Sequence, residues 1–528
     1  MVAGNDVEAS GRKEEIPHDH LFMVTGLSSS NLEKLANVPE PPSDFETAIA
    51  ATGNGRFNVA LMLCTFPAFW SAVSVTSSTS YIFTRAQCDM QLSLLDMGTV
   101  NAITYGGMIS SAMIWGFLSD TLGRRRIMVW GFFCAGLVEV AASMSQNFPM
   151  LLVTRFASGF LFNGPFAVLI SYLAEMHRKE LRARVILLTS LFYTFANSTL
   201  PLLAWGMLTH DWNFPITENF VIHSWNLFLL ATALMPVLTG LVFLCLPESP
   251  KFLMSRGRNE EAMEVFRRIY RLNTGKPKED YPIKCLVEEK TEKQASGVAA
   301  LRGGWAQLAP LFGMPHVKWL SYIFCVIYIG TMFGSNTLRL WYPQLAAMIN
   351  SDSSESLCSA IAPSNVTIVE EGCQPIQTDM MTYMQSVIVG AGSALTYGIG
   401  GMLVNRCGKK LVSAACSITG AAIVILMPFL GNSADAVVAL MTTALALTSL
   451  SGAALSSICV DLFPTSLRVM AMATFLMLGR VGTITGTVTF PALIDFGCLP
   501  PFITICAVLG VCGVACFLMP NTTLKKLE

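Results

Sequence analysis

Charge is the scarcest property of this sequence: Asp, Glu, Lys and Arg together make up 13% of its 528 residues, while 53% are hydrophobic. Soluble globular chains carry about a quarter charged residues, so the composition argues against a water-soluble fold. The first fifty or so residues are polar and mixed in charge, with no apolar run after a short basic start, so no cleaved signal peptide is expected. The chain also has no phosphate-binding loop, no His-Glu-x-x-His zinc motif and no nucleophile elbow. The segment from Asn273 to Lys276 lacks the preceding glycine of a phosphate loop and reads as a turn. His18 and His20 fall in the polar tail and read as solvated side chains rather than metal ligands. These absences argue against an enzyme, and no cofactor, metal or nucleic-acid partner is implied.

What the chain has in quantity is long apolar runs. About twenty apolar residues, rising roughly 1.5 Å each, cross a hydrocarbon core about 30 Å thick. Twelve such runs occur, from 57–82 at one end to 501–519 at the other, which predicts an all-α membrane protein. Net charge is only −1, yet the cations are unevenly placed. With the N-terminus inside, alternate loops collect Arg124, Arg125, Arg126, Arg178, Lys179, Arg182, Arg184, the long connection, Arg406, Lys409, Lys410, Arg468, Lys525 and Lys526, leaving Arg85 outside. Positive residues are retained on the cytoplasmic side during insertion, so both termini are expected there, in a plasma or intracellular vesicle membrane.

The expected organisation is a cytoplasmic tail (1–55), a six-helix bundle (56–246), a cytoplasmic connection with amphipathic helices (247–316), a second six-helix bundle (317–519) and a short tail (520–528). Within the connection, Asn259 is a candidate cap for a helix burying Ala262, Val265, Phe266, Ile269 and Tyr270 on one face. An outer loop at 348–379 carries a glycosylation sequon at Asn365 and a disulfide candidate, Cys358 with Cys373, although spacing alone cannot establish that pairing.

The two bundles are related by an internal repeat. GFLSDTLGRRR (116–126) aligns without a gap on GMLVNRCGKK (401–410), matching Gly116 to Gly401, Asp120 to Asn405, Gly123 to Gly408 and Arg124 to Lys409. At nearly the same offset, Glu175 with Arg182 corresponds to Asp461 with Arg468. Duplicated six-span halves are a transporter architecture in which the substrate site forms near the midplane between them.

These paired loops resemble the signature of the major facilitator superfamily. PESP at 247–250 resembles the marker of its sugar-porter and organic-ion branch, and Arg155, Phe156 and Gly159 resemble its fourth-helix motif. Residues 53–57, 336–343 and 518–522 are similar to segments of the synaptic vesicle glycoprotein 2 group. The resemblance implies a fold of twelve transmembrane helices in two pseudo-symmetric bundles. It also implies that Asp120, Arg124, Glu175 and Glu248 form a cytoplasmic ion-pair network that shuts the inner side. The matched Gly116, Gly123, Arg182, Gly401, Asn405, Gly408, Lys409, Asp461 and Arg468 complete the candidate gate. Topology alone explains some of these cations, notably Arg126, but not the acidic members at matched positions.

Eight spans contain no charge; the other four hold Glu139, Arg155, Arg339 and Arg480. A charge near the bilayer centre costs a few kcal/mol or more, so each calls for a partner, a cavity or a function. Glu139 and Arg155 lie about equally far from the turn at Gln146 and Asn147 and could meet, as a structural pair or as part of the candidate substrate cavity. Arg339, beside Trp341 and Tyr342 near the outer end of its span, is expected to snorkel to the interface. Arg480 sits mid-span between Gly479 and Gly482. The repeat sets it opposite Tyr193, Thr194 and Asn197, so it is a candidate cavity cation for an anionic substrate group or a partner for Glu139. Pairing of Arg480 with backbone carbonyls is the structural alternative.

Proton-coupled members of the superfamily commonly place a carboxylate in the first, fourth or seventh span. None stands there in this chain, which weakens proton coupling and favours facilitated diffusion or anion exchange. The expected function is secondary active or facilitative transport of a small organic solute, an organic anion among the candidates, by alternating access. The other reading is a transporter-shaped receptor or trafficking regulator that moves nothing, because fold alone does not fix function. The expected partners are a small organic solute and the lipid bilayer; the sequence does not set the oligomeric state, and a monomer is compatible with it.

Overall fold

The computed structural model describes residues 42–218, 220–288, 312–313, 315–351, 357–361, 380–431, 433–463 and 465–519. Twelve long helical spans run through it. The first half comprises α2 (Arg56–Cys64) continued by α3 (Phe66–Met90), then α4 (Leu94–Leu122), α5 (Arg124–Ser143), α6 (Phe148–Glu175), α7 (Lys179–Leu208) and α8 (Ser224–Phe243). The second comprises α11 (Pro315–Ser351), α13 (Met380–Cys407), α14 (Lys409–Leu430), α15 (Ala434–Leu462), α16 (Thr465–Ile494) and α17 (Leu499–Leu518). Ten of these spans satisfy both a length and a hydropathy criterion for crossing a membrane. The protein is a multi-pass integral membrane protein built from two six-helix halves.

Because lipid tails are as apolar as Leu side chains, helices in a membrane associate through close packing at small residues. Here glycines set that packing. A Cβ on Gly107 of α4 would stand 2.1 Å from the Phe156 carbonyl oxygen, and one on Gly159 of α6 would stand 2.0 Å from that of Thr104. Gly159 of the fourth-helix motif is thus half of a reciprocal contact. The second half repeats the device: a Cβ on Gly482 of α16 would lie 2.0 Å from the Ile329 carbonyl oxygen of α11. The first span breaks at Thr65, where Pro67 occupies the first turn of α3 and cannot donate to the preceding turn.

The distribution of buried apolar side chains shows how the halves lean. One cluster joins both halves on the face away from the basic loops, running from Trp70, Phe83 and Trp225 to Leu338, Trp341 and Phe490. Towards the basic face the core divides, with one cluster almost wholly in the first half and another in the second. The halves therefore touch at one end and separate towards the other.

On the basic face the chain forms a small assembly from α1 (Phe45–Ala51), α9 (Pro250–Ser255), α10 (Asn259–Thr274) and the segment up to residue 288. The amphipathic helix is present and buries Ala262, Met263, Phe266, Ile269 and Tyr270, with Val265 half-buried. Its cap differs from expectation. Arg258 takes the cap position and ties Glu261 at 2.6 and 2.5 Å, leaving the Asn259 side chain to reach the Val287 carbonyl. The turn expected at 273–276 is the helix terminus itself, where Gly275 is left-handed and its N–H returns to the Arg271 carbonyl at 2.9 Å.

Asn273 fastens this assembly to the first span. Its Nδ2 donates to Thr52, Gly53 and Asn58 at 3.3, 3.2 and 2.9 Å, while its Oδ1 accepts the Phe57 N–H at 3.1 Å. Asn273→Ala should cost about 1–3 kcal/mol, because four polar groups lose their partner. Hydrogen exchange across residues 45–58 should accelerate, and unchanged exchange there would show that Asn273 does not hold the junction.

Two features at the opposite face were not anticipated. A hairpin of β1 (Asn213–Thr217) and β2 (Phe220–His223) joins α7 to α8, and Gln146 extends it by bonding both the N–H and the carbonyl of Val221. The expected Cys358–Cys373 disulfide is replaced by Cys358–Cys498, with Cα atoms 5.4 Å apart. The cause is docking rather than spacing. Cys358 lies on the short helix α12 (Leu357–Ile361), whose first N–H bonds the Gly431 carbonyl at the end of α14, and this sets Cys358 beside the start of α17. Cys88 is also disulfide-bonded. Cys373 and the Asn365 sequon lie outside the described residues.

Candidate functional site

The centre of the molecule is organised by Arg339, not by the residues singled out from sequence. From α11 in the second half it reaches three hydroxyls of the first half: Ser77 Oγ of α3 at 3.0 Å, Tyr105 Oη of α4 at 3.0 Å and Tyr193 Oη of α7 at 3.3 Å. The expected snorkelling is thus overturned. Trp341 and Tyr342, read as interfacial aromatics, are core residues at 2% and 3% exposure, and Trp341 donates to the Thr487 carbonyl. Arg339 cannot follow them to an interface, because α11 continues for three further turns beyond it to Ser351.

Arg480 approaches the same place from α16, with Tyr105 in electrostatic range of both arginines. Among the described residues Arg480 forms no hydrogen bond and no ion pair, so neither pairing with Glu139 nor binding to backbone carbonyls is realised. The glycines beside it serve helix packing. A Cβ on Gly479 would meet Met332 at 2.8 Å, and the Asn336 amide donates to Thr483 Oγ1 at 2.8 Å one turn further on.

Glu139 and Arg155 do meet, 3.0 Å apart, but within the first half rather than in the cavity between halves. Arg155 is fully buried, and its Nη1 also donates to Ser78 Oγ at 3.4 Å; Ser158 donates to the Glu139 carboxylate. Adjacent hydroxyls of α3 thus separate two roles, Ser78 facing the buried pair and Ser77 facing Arg339. Of the polar residues expected on α7, only Tyr193 reaches the centre. Asn197 Nδ2 donates to the Tyr193 carbonyl at 3.0 Å and the Thr194 hydroxyl donates to the Ser190 carbonyl at 3.5 Å, both within their own helix.

Sequence reasoning missed Ser77 and Tyr105. The available signal was the run of hydroxyls from Ser77 to Ser80, unusual in an otherwise apolar span. No carboxylate of the described residues contacts Arg339 or Arg480, so the centre holds two cations faced by neutral tyrosine and serine hydroxyls. In a low-dielectric site such charges attract anions strongly.

Beyond Arg339 the halves close on one another. A residual cavity of about 10 Å³ lies between Tyr81 and Thr84 of α3 and Pro343, Thr382, Tyr383 and Ser386 of the second half. A Cβ on Gly98 would lie 2.5 Å from the Thr487 carbonyl oxygen, and one on Gly390 would lie 3.2 Å from that of Asn197. Arg85 pairs with Asp211 on this face.

On the basic face every gate contact among the described residues stays within one half. Arg124 stands 3.6 Å from Glu175 and donates to the Ser119 carbonyl at 2.8 Å; Lys409 pairs with Asp461 at 2.5 Å, the matching pair of the repeat. Gly123 and Gly408 have φ values of 95° and 84°, which a side chain rarely adopts, and each turns the chain directly from one span into the next. Glu248 accepts the N–H groups of Arg125 and Ser249 at 3.0 and 2.9 Å, and Ser249 donates to Glu175. Arg182 binds the Ala174 and His177 carbonyls and Glu46 of α1. Burial pushes the His177 imidazole below its usual range, so the ring beside Arg182 is neutral at physiological pH. No described atom lies within 4 Å of a Cβ on Gly116, so this gate glycine makes no close helix contact among the described residues. The side chains of Asp120, Asn405 and Arg468, together with Gly401, lie outside the described residues.

Comparison with known proteins bears on the fold and the family. A family model described as "Sugar (and other) transporter" matches residues 58–351, more than half of the chain. Synaptic vesicle glycoprotein 2C of Mus musculus is 24% identical over 343 residues, covering 61% of this chain and 47% of that protein. Synaptic vesicle glycoprotein 2B of Homo sapiens is 23% identical over 360 residues, covering 65% and 52%. The chain thus spans about half the length of these curated relatives. Among solved structures, the xylose transporter XylE from E. coli in a partially occluded inward open conformation superposes with a TM-score of 0.61 at 15% identity, covering 88% of this chain and 99% of that one. The nucleoside transporter NupG gives a TM-score of 0.56 at 13% identity, covering 88% and 98%. The chain belongs to the sugar (and other) transporter family of the major facilitator superfamily and resembles the synaptic vesicle glycoprotein 2 proteins.

Proposed function

We propose that this protein is a secondary transporter of a small organic anion, with Arg339 and Arg480 as the substrate-binding cations. One observation carries the reading: two guanidinium groups of the second half converge on the same first-half tyrosine, Tyr105, at the interface of the halves, and no described carboxylate neutralises them. Arg339 is held by hydroxyls alone, which are weaker partners than a carboxylate or phosphate for a guanidinium fork. An entering anion would take those bonds over and free Ser77, Tyr105 and Tyr193 to move with the first half. That exchange couples substrate binding to relative motion of the halves, as alternating access requires.

The basic face is taken as cytoplasmic, which makes this conformation open to the cytoplasm. Closing it would recruit the loops at Gly116 and Gly401 into contact across the halves, with Arg124–Glu175 and Lys409–Asp461 as latches inside each half. Glu139, the carboxylate buried mid-span in the first half, is neutralised by Arg155, so a uniport or anion exchange is favoured over proton symport.

The test is uptake into proteoliposomes of a panel of radiolabelled organic anions, cations and neutral sugars, with Arg480→Gln alongside the unaltered chain. Anion uptake should exceed the other classes, and Arg480→Gln should lower it about tenfold, the loss of one charge-assisted contact. Sugar uptake insensitive to Arg480→Gln would overturn the anion assignment. Absence of uptake across the whole panel, from folded protein, would favour a receptor or trafficking role.

A further inference from the structure

A second cationic site lies on the basic face, away from the central interface and independent of the transport reading. A cavity of about 410 Å³ opens where the end of α4, the start of α5 and the α9–α10 connection meet. Arg125, Arg126, Arg256 and Arg258 line it, against Glu248 and Glu261. Both carboxylates are already engaged. Glu261 is held bidentately by Arg258, and one oxygen of Glu248 accepts two backbone N–H groups, those of Arg125 and Ser249. Of the cations, Arg258 is committed to Glu261 and Arg256 donates to the Thr121 carbonyl at 3.3 Å, whereas Arg125 and Arg126 are less fully used. Arg126 is exposed and forms no hydrogen bond or ion pair among the described residues, and Nε of Arg125 is buried without an acceptor. Arg256 stacks its guanidinium on Phe252, 5.5 Å from the ring centroid, which holds it at the cavity wall.

The position of the cavity decides what it takes. Leu122 lines it, and Arg125 donates to the carbonyl of Leu244 at 2.7 Å. Both leucines, with Leu241 and Trp130 above them, are exposed apolar side chains at the ends and flanks of membrane spans. One rim is therefore continuous with the hydrocarbon-facing surface, and the other opens to water between α9 and α10. We propose that this cavity binds the headgroup of an anionic phospholipid from the leaflet on the basic face. The phosphate would sit among Arg125, Arg126 and Arg256, and an acyl chain would lie along Leu122 and Leu244. Guanidinium forks suit phosphate oxygens, and a soluble anion would have no use for the apolar rim.

The test is native mass spectrometry of the full chain in mild detergent, titrated with dioleoylphosphatidic acid or dioleoylphosphatidylcholine. Inorganic phosphate and glycerol 3-phosphate serve as soluble competitors. The unaltered chain should retain phosphatidic acid over phosphatidylcholine. Arg126→Gln, at an exposed position that folding does not require, should weaken that retention several-fold, and Arg126→Gln with Arg256→Gln about tenfold. Equal retention of the two lipids, or retention unchanged in the double variant, would overturn the proposal. Displacement of the lipid by inorganic phosphate at comparable concentration would also overturn it, assigning the site to a soluble anion.

Discussion

Replacing Arg339 by alanine is expected to reduce anion uptake by about 100-fold, equivalent to about 2.7 kcal/mol of lost stabilisation, while the protein still elutes as a monodisperse peak. The magnitude follows from its position. Among the described residues, Arg339 is the one side chain of the second half that donates to α3, α4 and α7 at once. Alanine removes both a charge that a substrate anion would bind and the connection through which binding biases the two halves. Folding should tolerate the loss, because Ser77, Tyr105 and Tyr193 are neutral hydroxyls that water in the open cavity can satisfy. Arg339→Lys keeps the charge but loses the planar fork that spans three oxygens, and should retain about a tenth of the activity. Uptake by Arg339→Ala at the level of the unaltered chain would eliminate Arg339 from the site, whatever the substrate.

The largest expected effect on stability lies elsewhere, at the buried pair. Glu139→Ala leaves Arg155 enclosed with no counter-charge, since the remaining acceptor, Ser78, is a neutral hydroxyl. Removing one partner of a buried pair typically costs about 3–5 kcal/mol. The apparent melting temperature, read by fluorescence-detected size exclusion after heating, should fall by several degrees. Glu139→Leu combined with Arg155→Met removes both charges and keeps similar volume, and should recover most of the loss. If Glu139→Ala alone melts with the unaltered chain, Arg155 must find another partner and the pair is not structural. The contrast with Arg339 is the diagnostic: one arginine sits inside a half and supports the fold, whereas the other sits between halves and is open to ligand.

Why sequence located one of these arginines and misjudged the other is a question of depth. Glu139 and Arg155 flank a two-residue turn, so helix geometry alone brings them to the same height. Arg339 stands next to Trp341 and Tyr342, and a cation beside aromatics is the signature of a membrane interface. In α11 the signature misleads, because the helix extends to Ser351 and its aromatics pack against α16, where Trp341 and Phe490 stand 5.5 Å apart. Arg480 reads as a mid-span cation because Gly479, Gly482 and a long apolar surround leave no interface within reach. Its partners were not legible, since Tyr105 is about 375 residues away in the chain and meets it only when the halves assemble.

The cysteines teach the same lesson. A separation of 15 residues makes Cys358 and Cys373 the entropically cheap pair, and loop closure cost does rise with length. That rise is slow, and docking of α12 against α14 outweighs it, so Cys358 joins Cys498 across a separation of 140 residues.

What the sequence by itself determined was everything that acts locally or along one helix. Run length defined the spans, and the aligned loops paired Gly123 with Gly408 and Arg124–Glu175 with Lys409–Asp461. The amphipathic period of 259–274 placed a helix on the basic face. These features depend on hydrogen bonding within a segment and on the cost of exposing backbone or charge to lipid, which each segment expresses alone. Only the tertiary structure decided which polar groups share the centre, which face is closed and which cysteines join. Those outcomes depend on how helices far apart in sequence rotate and lean against one another. A helix of period 3.6 residues can turn any of several faces inward until close packing at glycine contacts such as Gly159 on Thr104 and Gly482 on Ile329 selects one.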